Sequence, residues 1–313
     1  MRIVSLLPSA TEIVYALGLE DQLLGVTFEC NEPARARRDK EIIVGGMSTQ
    51  QLDPAEIDQL VRERLGRGED LYTLDAGALR HLDPELILTQ DLCRVCAVPT
   101  TKVRDAAEQL GCSAEVVTLD PYSLDEVVES IGDVARAAGV PERAEKLITE
   151  LRGRLATVAD AVRDRPRPRV AVIEWIDPPF GAGHWMPDMI IAAGGDPVAC
   201  RPRQRSVPIS WDDVAAAKPD IMIISPCGYD LDGAAEQATK IMNDPEIIGR
   251  MPDVQLWAID ADGLMVRPGP RLVDGVEALA AVLHPDLPNA EGSLKPQYLR
   301  RVVRKVTPHA PSA

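Results

Sequence analysis

Aromatic and histidine side chains are scarce in this chain. Its 313 residues include two Phe, four Trp, five Tyr and four His. Aliphatic packing must therefore carry the core, and an aromatic residue in a loop calls for a reason. Long apolar runs are missing too: none approaches the ~20 residues that span a bilayer, which argues against membrane insertion. There is no excess of basic charge. The formal net charge of −15 at pH 7 disfavours nucleic acid and anionic membranes as main partners, since both select basic surfaces. The N-terminus shows no basic n-region, apolar h-region or cleavage site. Arg2–Leu7 starts directly as a strand, so the chain as written is expected in the cytoplasm. No P-loop, HExxH or Ser/His/Asp spacing is present, and Gly181-Ala-Gly183 lacks the rest of a dinucleotide fingerprint. Nothing positively marks an enzyme.

What is present is an amphipathic stretch at mid-chain, from Pro141 to Arg165. Ala144, Leu147, Ile148, Leu151, Leu155, Val158, Ala159 and Val162 fall at steps of three, four and seven, which form one stripe on a helix. Pro141 suits the first turn, and Arg165-Pro-Arg-Pro-Arg169 ends the stretch. On either side, short apolar strands alternate with helices and short connections, as a helix-covered parallel sheet requires. Before the stretch, strands are predicted at 2–7, 23–27, 41–44, 71–74, 86–89 and 115–119. After it they are predicted at 169–174, 221–224 and 255–259. Ser9-Ala-Thr-Glu12 reads as a capping box opening the first helix. Leu82-Asp-Pro-Glu-Leu-Ile-Leu88 and Ala217-Lys-Pro-Asp-Ile-Met-Ile223 form a faint internal repeat. These features predict an α/β protein with two Rossmann-like lobes, each with a central parallel sheet, bridged by one long helix. The expected division is 1–140, a bridging helix 141–167, 168–285, and a tail 286–313, partly ordered at best.

In open α/β sheets, ligands sit beyond the carboxyl ends of the strands. The loops there hold Ser9, Phe28, Glu29 and Cys30 in the first half, with Cys93 and Cys96 after the strand 86–89. In the second half they hold Trp175, His184, Trp185, Cys227, Tyr229 and Arg267. Aromatics with a few polar groups are the usual lining of a small-molecule pocket. Six cysteines in a cytosolic chain read as thiols. Cys93-x-x-Cys96 alone is a weak metal motif, and Cys30 and Cys227 would complete four thiolates for zinc or iron. His184 reads as a ligand contact, a soft metal ligand or a hydrogen-bonded loop residue. Trp175 and Trp185 either stack on a flat ligand or fill core. Arg267 either pairs with an acidic ligand group or braces its loop.

The opening Arg2-Ile-Val-Ser-Leu-Leu-Pro-Ser-Ala-Thr-Glu-Ile-Val-Tyr-Ala-Leu-Gly-Leu19 resembles the start of the vitamin B12 and iron-siderophore substrate-binding proteins of ABC importers. So do Leu71-Tyr72, Pro84-Glu-Leu-Ile-Leu88 and Gly183-His-Trp-Met-Pro-Asp-Met189 leading to Gly194-Gly195. The resemblance runs from residue 2 to about 285. Gly25–Cys30, Thr89–Val98, Glu174–Phe180 and Arg267–Asp274 are similar to a cobalamin-binding subgroup. One departure is Phe28, where the subgroup leads one to expect His before Glu29-Cys30. The resemblance implies two α/β lobes joined by a long helix, and a corrinoid or other metal chelate captured in the inter-lobe cleft. It implies an ABC permease as partner and an extracytoplasmic setting, against the cytoplasmic expectation above. A monomer is expected. The rival expectation is a cytosolic metal- or tetrapyrrole-trafficking protein, or an enzyme, using the cysteine cluster.

Overall fold

The computed structural model describes residues 1–46, 52–91, 100–109, 113–287 and 298–303. The chain divides into two compact units. The first comprises Met1–Thr157 and Arg267–Asp274, and the second Val158–Val266 and Gly275–Ala313. The division therefore differs from the one expected at 140 and 168: it falls inside the long helix, and a short late segment rejoins the first unit.

The first unit contains β1 (Ile3–Ser5), α1 (Pro8–Ala16), β2 (Leu23–Thr27), α2 (Arg35–Asp39), β3 (Glu41–Gly46) and α3 (Pro54–Gly66). β4 (Tyr72–Leu74), α4 (Ala76–Leu82), β5 (Leu86–Thr89), α5 (Thr100–Gln109), β6 (Glu115–Thr118), α6 (Leu124–Ala137) and α7 (Pro141–Val162) follow. Its sheet runs β4-β3-β2-β1-β5-β6, parallel except for β4, which is antiparallel to β3. Helices cover both faces, so the central strands are apolar on both sides. Ile3, Leu86 and Leu88 enter a core shared with α1, α6 and α7, while Val4 and Ile87 enter another with Ile43, Leu79 and Val103. Asp53 and Ser123 cap α3 and α6 through reciprocal capping boxes.

The capping box expected at Ser9–Glu12 does not form. Pro8, at the first helical position, sets the backbone for a helix beginning two residues earlier. The cap falls on Leu7, which has no side-chain cap, and Ser9 lies inside the first turn. Glu12 is thereby released for a different partner. α7 buries Ala144 and Leu151 against the first core, with Leu147, Ile148 and Leu155 packed beside them. It ends at Val162 rather than Arg165: Pro166 has no N–H to give the Val162 carbonyl four residues before it, and its ring clashes with that carbonyl.

The second unit contains β7 (Arg169–Ile176), β8 (Pro179–Gly181), α8 (Met186–Ala192), β9 (Asp196–Val198), β10 (Val207–Pro208), α9 (Trp211–Ala216) and β11 (Ile221–Ile224). These are followed by α10 (Leu231–Asn243), α11 (Pro245–Ile248), β12 (Gln255–Ile259), α12 (Ala261–Leu264), α13 (Leu272–Leu283) and β13 (Leu299–Val302). The sheet runs β10-β8-β7-β11-β12-β13, with β9 pairing β7. β8, β10 and β13 are antiparallel to their neighbours. Both sheets are thus mixed rather than wholly parallel, with the antiparallel strands outside the parallel centre. The tail, expected to be partly ordered at best, supplies β13, which pairs with β12 from Leu299 to Val302.

Candidate functional site

In the first unit, Phe28 and Glu29 follow the carboxyl end of β2, and Tyr72 stands opposite Gly46 at the carboxyl end of β3. The Phe28 and Tyr72 rings lie 6.2 Å apart at 41°, and the Tyr72 hydroxyl donates to Glu29 Oε1 at 3.3 Å. Gly46 makes room for this pair, since a Cβ there would meet the Phe28 ring at 2.4 Å. All three side chains are half-buried. Tyr72 is a further candidate that sequence reasoning did not name as a site residue. Only the strand-end rule applied to β3 and its neighbour would have found it.

The same unit holds a polar network. Glu12, 7% exposed, accepts two hydrogen bonds from Arg271, at 3.0 and 3.1 Å. Arg267 is 3.9 Å from Glu12 Oε1 and also donates to Asn31 Oδ1. Burial raises the Glu12 carboxyl above its ordinary range, and the two arginines pull it back. Arg267, read from sequence as either a ligand contact or a brace for its loop, is braced by Glu12 and Asn31, with its side chain 10% exposed. Ser9 is 2% exposed and has Gly269 against it, so it supports the loop from within. Cys30 is fully buried. Its sulfur accepts from the Thr11 hydroxyl at 3.1 Å and lies 3.3 Å from that of Thr27. Burial pushes its pKa up, so it is held as a thiol.

In the second unit, Trp175 lies near the carboxyl end of β7 and Tyr229 beyond that of β11. Their rings meet edge to face, 5.9 Å apart at 69°, a favoured aromatic geometry. Both are half-buried. The Trp175 indole donates to Asp177 O at 3.0 Å, and Tyr229 rests on Gly233 of α10. Trp185, by contrast, is core. It is 4% exposed and its indole donates to Met265 O at 2.8 Å, so of the two readings offered by sequence the structure takes packing.

His184 adopts a left-handed backbone, φ 49°. It donates its N–H to Gln204 O at 2.6 Å and accepts from the Arg203 N–H at 3.1 Å. Its ring lies 5.5 Å from that of Trp185. Burial, helped by the charge of Arg205, lowers its pKa to about 4, so the imidazole is neutral at neutral pH. Next to it is a second residue missed from sequence. Glu174 accepts from Gly183 N–H at 2.9 Å and from the Ser206 hydroxyl at 2.7 Å, and burial raises its pKa.

Of the four cysteines assigned to metal, Cys93 and Cys96 lie outside the described residues. Cys227 is exposed, on the loop after β11, and Cys30 is buried in the first unit. Among the described residues, no three His, Cys, Asp or Glu side chains gather as a metal site. No helix of the described residues is long and apolar enough to cross a membrane.

Residues 3–250 match the sequence profile of a family described as periplasmic binding protein. An uncharacterized ABC transporter substrate-binding lipoprotein of Bacillus subtilis is 25% identical over 293 residues, covering 91% of this chain and 80% of that one. A cobalamin-binding protein of Halobacterium salinarum is 24% identical over 292 residues, covering 90% of this chain and 69% of that one. Among solved structures, a periplasmic heme-binding protein from Pseudomonas aeruginosa superposes with a TM-score of 0.68 at 23% identity, covering 92% of this chain and 94% of its own. The periplasmic vitamin B12-binding protein of Vibrio cholerae gives 0.62 at 22% identity, covering 91% and 96%. At these identities the structural likeness concerns the fold.

Proposed function

The chain belongs to the periplasmic binding protein family, and from that premise we propose that it captures a corrinoid or another flat metal chelate of the tetrapyrrole kind for an ABC permease. One observation carries the choice of ligand. Each unit holds a half-buried aromatic pair at the carboxyl ends of its strands, Phe28–Tyr72 and Trp175–Tyr229. In a chain with so few aromatics, these four residues lie near strand ends, where an α/β sheet takes its ligand, and none is fully buried. Flat, rigid rings with a polar tip give a large contact area to a planar macrocycle at little entropic cost. Glu29, held by the Tyr72 hydroxyl, and neutral His184 supply polar fixings. Cys227 is the exposed thiol among the described cysteines and offers a soft contact to a chelated metal. On this reading metal arrives as the centre of the ligand and not as a resident ion, and the chain binds without transforming what it binds. It works as a monomer, on whichever side of the membrane its ligand is met.

The test is a titration with cobalamin, cobinamide and heme, followed by tryptophan fluorescence and by the absorbance of the macrocycle. Saturable binding of at least one is expected, and Trp175→Ala should weaken it by about tenfold, the loss of one stacking face. Absence of binding to every one of these at tens of micromolar sinks the reading.

A further inference from the structure

Three of the five non-glycine residues with positive φ among the described residues are His184, Ala199 and Arg203, at 49°, 52° and 56°. All three belong to one construction of the second unit, in which the segment 199–206 runs beside 181–184. Arg201 N–H donates to Ala182 O at 2.8 Å, Arg203 N–H to His184 O at 3.1 Å, and His184 N–H to Gln204 O at 2.6 Å. The two segments are too close for any side chain at Gly183, where a Cβ would lie 2.5 Å from both Gln204 O and Ser206 N. Glu174 ties them from below through Gly183 N–H and the Ser206 hydroxyl. Backbone held in sparsely populated regions and fixed on several sides clusters at functional sites.

This rigid loop presents Arg201, Arg203 and Arg205, all exposed. Among the described residues Arg203 meets one carboxylate, that of Asp188 at 3.9 Å. Arg201 and Arg205 have no side-chain partner among the described residues. Elsewhere, in a chain of net charge −15, exposed arginines are commonly paired, for example Arg35, Arg152, Arg250 and Arg300. An unneutralised cationic cluster on a fixed backbone, in the unit that also carries Trp175 and Tyr229, is suited to an anion.

We propose that Arg201 and Arg205, with Arg203, form an anion-recognising rim that pairs with peripheral carboxylates of the ligand. The inference rests on the macrocycle reading and narrows it. The preferred ligand is a carboxylated tetrapyrrole rather than one whose edge is made of neutral amides.

The test uses three corrinoids on the full chain and on the variant R201Q/R205Q, at low and high salt. Cobyrinic acid carries carboxylates at its periphery, cobinamide carries amides there and no phosphate, and cobalamin carries amides and the phosphate of its nucleotide loop. The wild-type chain should bind cobyrinic acid at least tenfold more tightly than cobinamide, with an advantage that shrinks as salt rises. The variant should lose about tenfold or more for cobyrinic acid and stay within twofold for cobinamide. Both positions are exposed, and an unchanged circular dichroism spectrum would confirm that the variant is folded. Equal binding of cobyrinic acid by the two proteins overturns the rim while leaving the macrocycle reading standing. Sensitivity to the variant for cobalamin alone assigns the rim to phosphate and overturns the carboxylate preference. Failure of the wild-type chain to bind any of the three overturns the macrocycle reading, and the rim with it.

Discussion

Glu174 shows how one side chain governs a site without facing a ligand. Its two oxygens are used on the Gly183 N–H and the Ser206 hydroxyl, so it fixes the loops that carry His184 and Arg205. Burial raises its pKa, and these two hydrogen bonds lower it only in part. A carboxyl whose folded pKa lies above its unfolded value binds more protons in the folded state. Its contribution is therefore fully present below the unfolded pKa, near 4.5, and is lost as pH rises through the folded value. Glu174→Gln retains an acceptor for Gly183 and removes the titration. The stability of wild type relative to this variant, from urea unfolding at a series of pH values, should decline as pH rises from about 4 toward neutrality. A difference that is flat, or that grows with pH, contradicts the stated environment of Glu174.

At the scale of elements, the pairing of 181–184 with 199–206 depends on the missing side chain at Gly183. Both contacts that a Cβ would make at 2.5 Å are with backbone atoms, which cannot swing aside as a side-chain tip can. Gly183→Ala should cost about 1–3 kcal/mol by displacing the loop, seen as a lowered denaturation midpoint, and a neutral effect would show the close approach to be absent. This element also marks the limit of what was legible in sequence. β2, β5, β11 and β12 have the bounds that their apolar runs and turn residues predict, because a buried parallel strand must be largely apolar. β8 and β10, of three and two residues and rich in Pro and Gly, are too short for any periodicity to register. β13 sets exposed Arg300 and Arg301 between buried Leu299 and Val302, a pattern without a period of two, and its meaning comes only from pairing with β12. The strand-end rule anticipated that Phe28 and Tyr229 follow the carboxyl ends of β2 and β11, whereas Trp175, expected in a loop, lies within strand β7, next to its last residue. It could not tell that Trp185, one residue from His184, turns inward to Met265.

For the whole molecule, the informative feature is that the first unit is discontinuous in sequence. Arg267–Asp274 belongs with Met1–Thr157 although more than a hundred residues of the other unit intervene. The segment brings Arg271 to Glu12 across a separation of 259 residues, a pairing no local pattern announces. It also places Val273, 1% exposed, in the first core. A fragment of residues 1–157 lacks both. Removing the partners of a buried carboxylate costs about 3–5 kcal/mol, and losing Val273 about 1.5–3 kcal/mol more. Together these are comparable to the ~5–15 kcal/mol that stabilises a whole domain. The isolated fragment should therefore unfold without a cooperative transition, or with one far below that of the full chain. Glu12→Gln sharpens the test, because its cost arises from the arginines. In the full chain it should cost about 2–3 kcal/mol, by weakening charged hydrogen bonds to Arg271 and leaving that guanidinium poorly matched. In the fragment, where no arginine of the late segment is present, the same substitution should cost little or raise stability. If the substitution cost the same in both, Glu12 would stabilise the first unit through contacts within 1–157 alone, and the late segment would be a passenger rather than part of that unit's core.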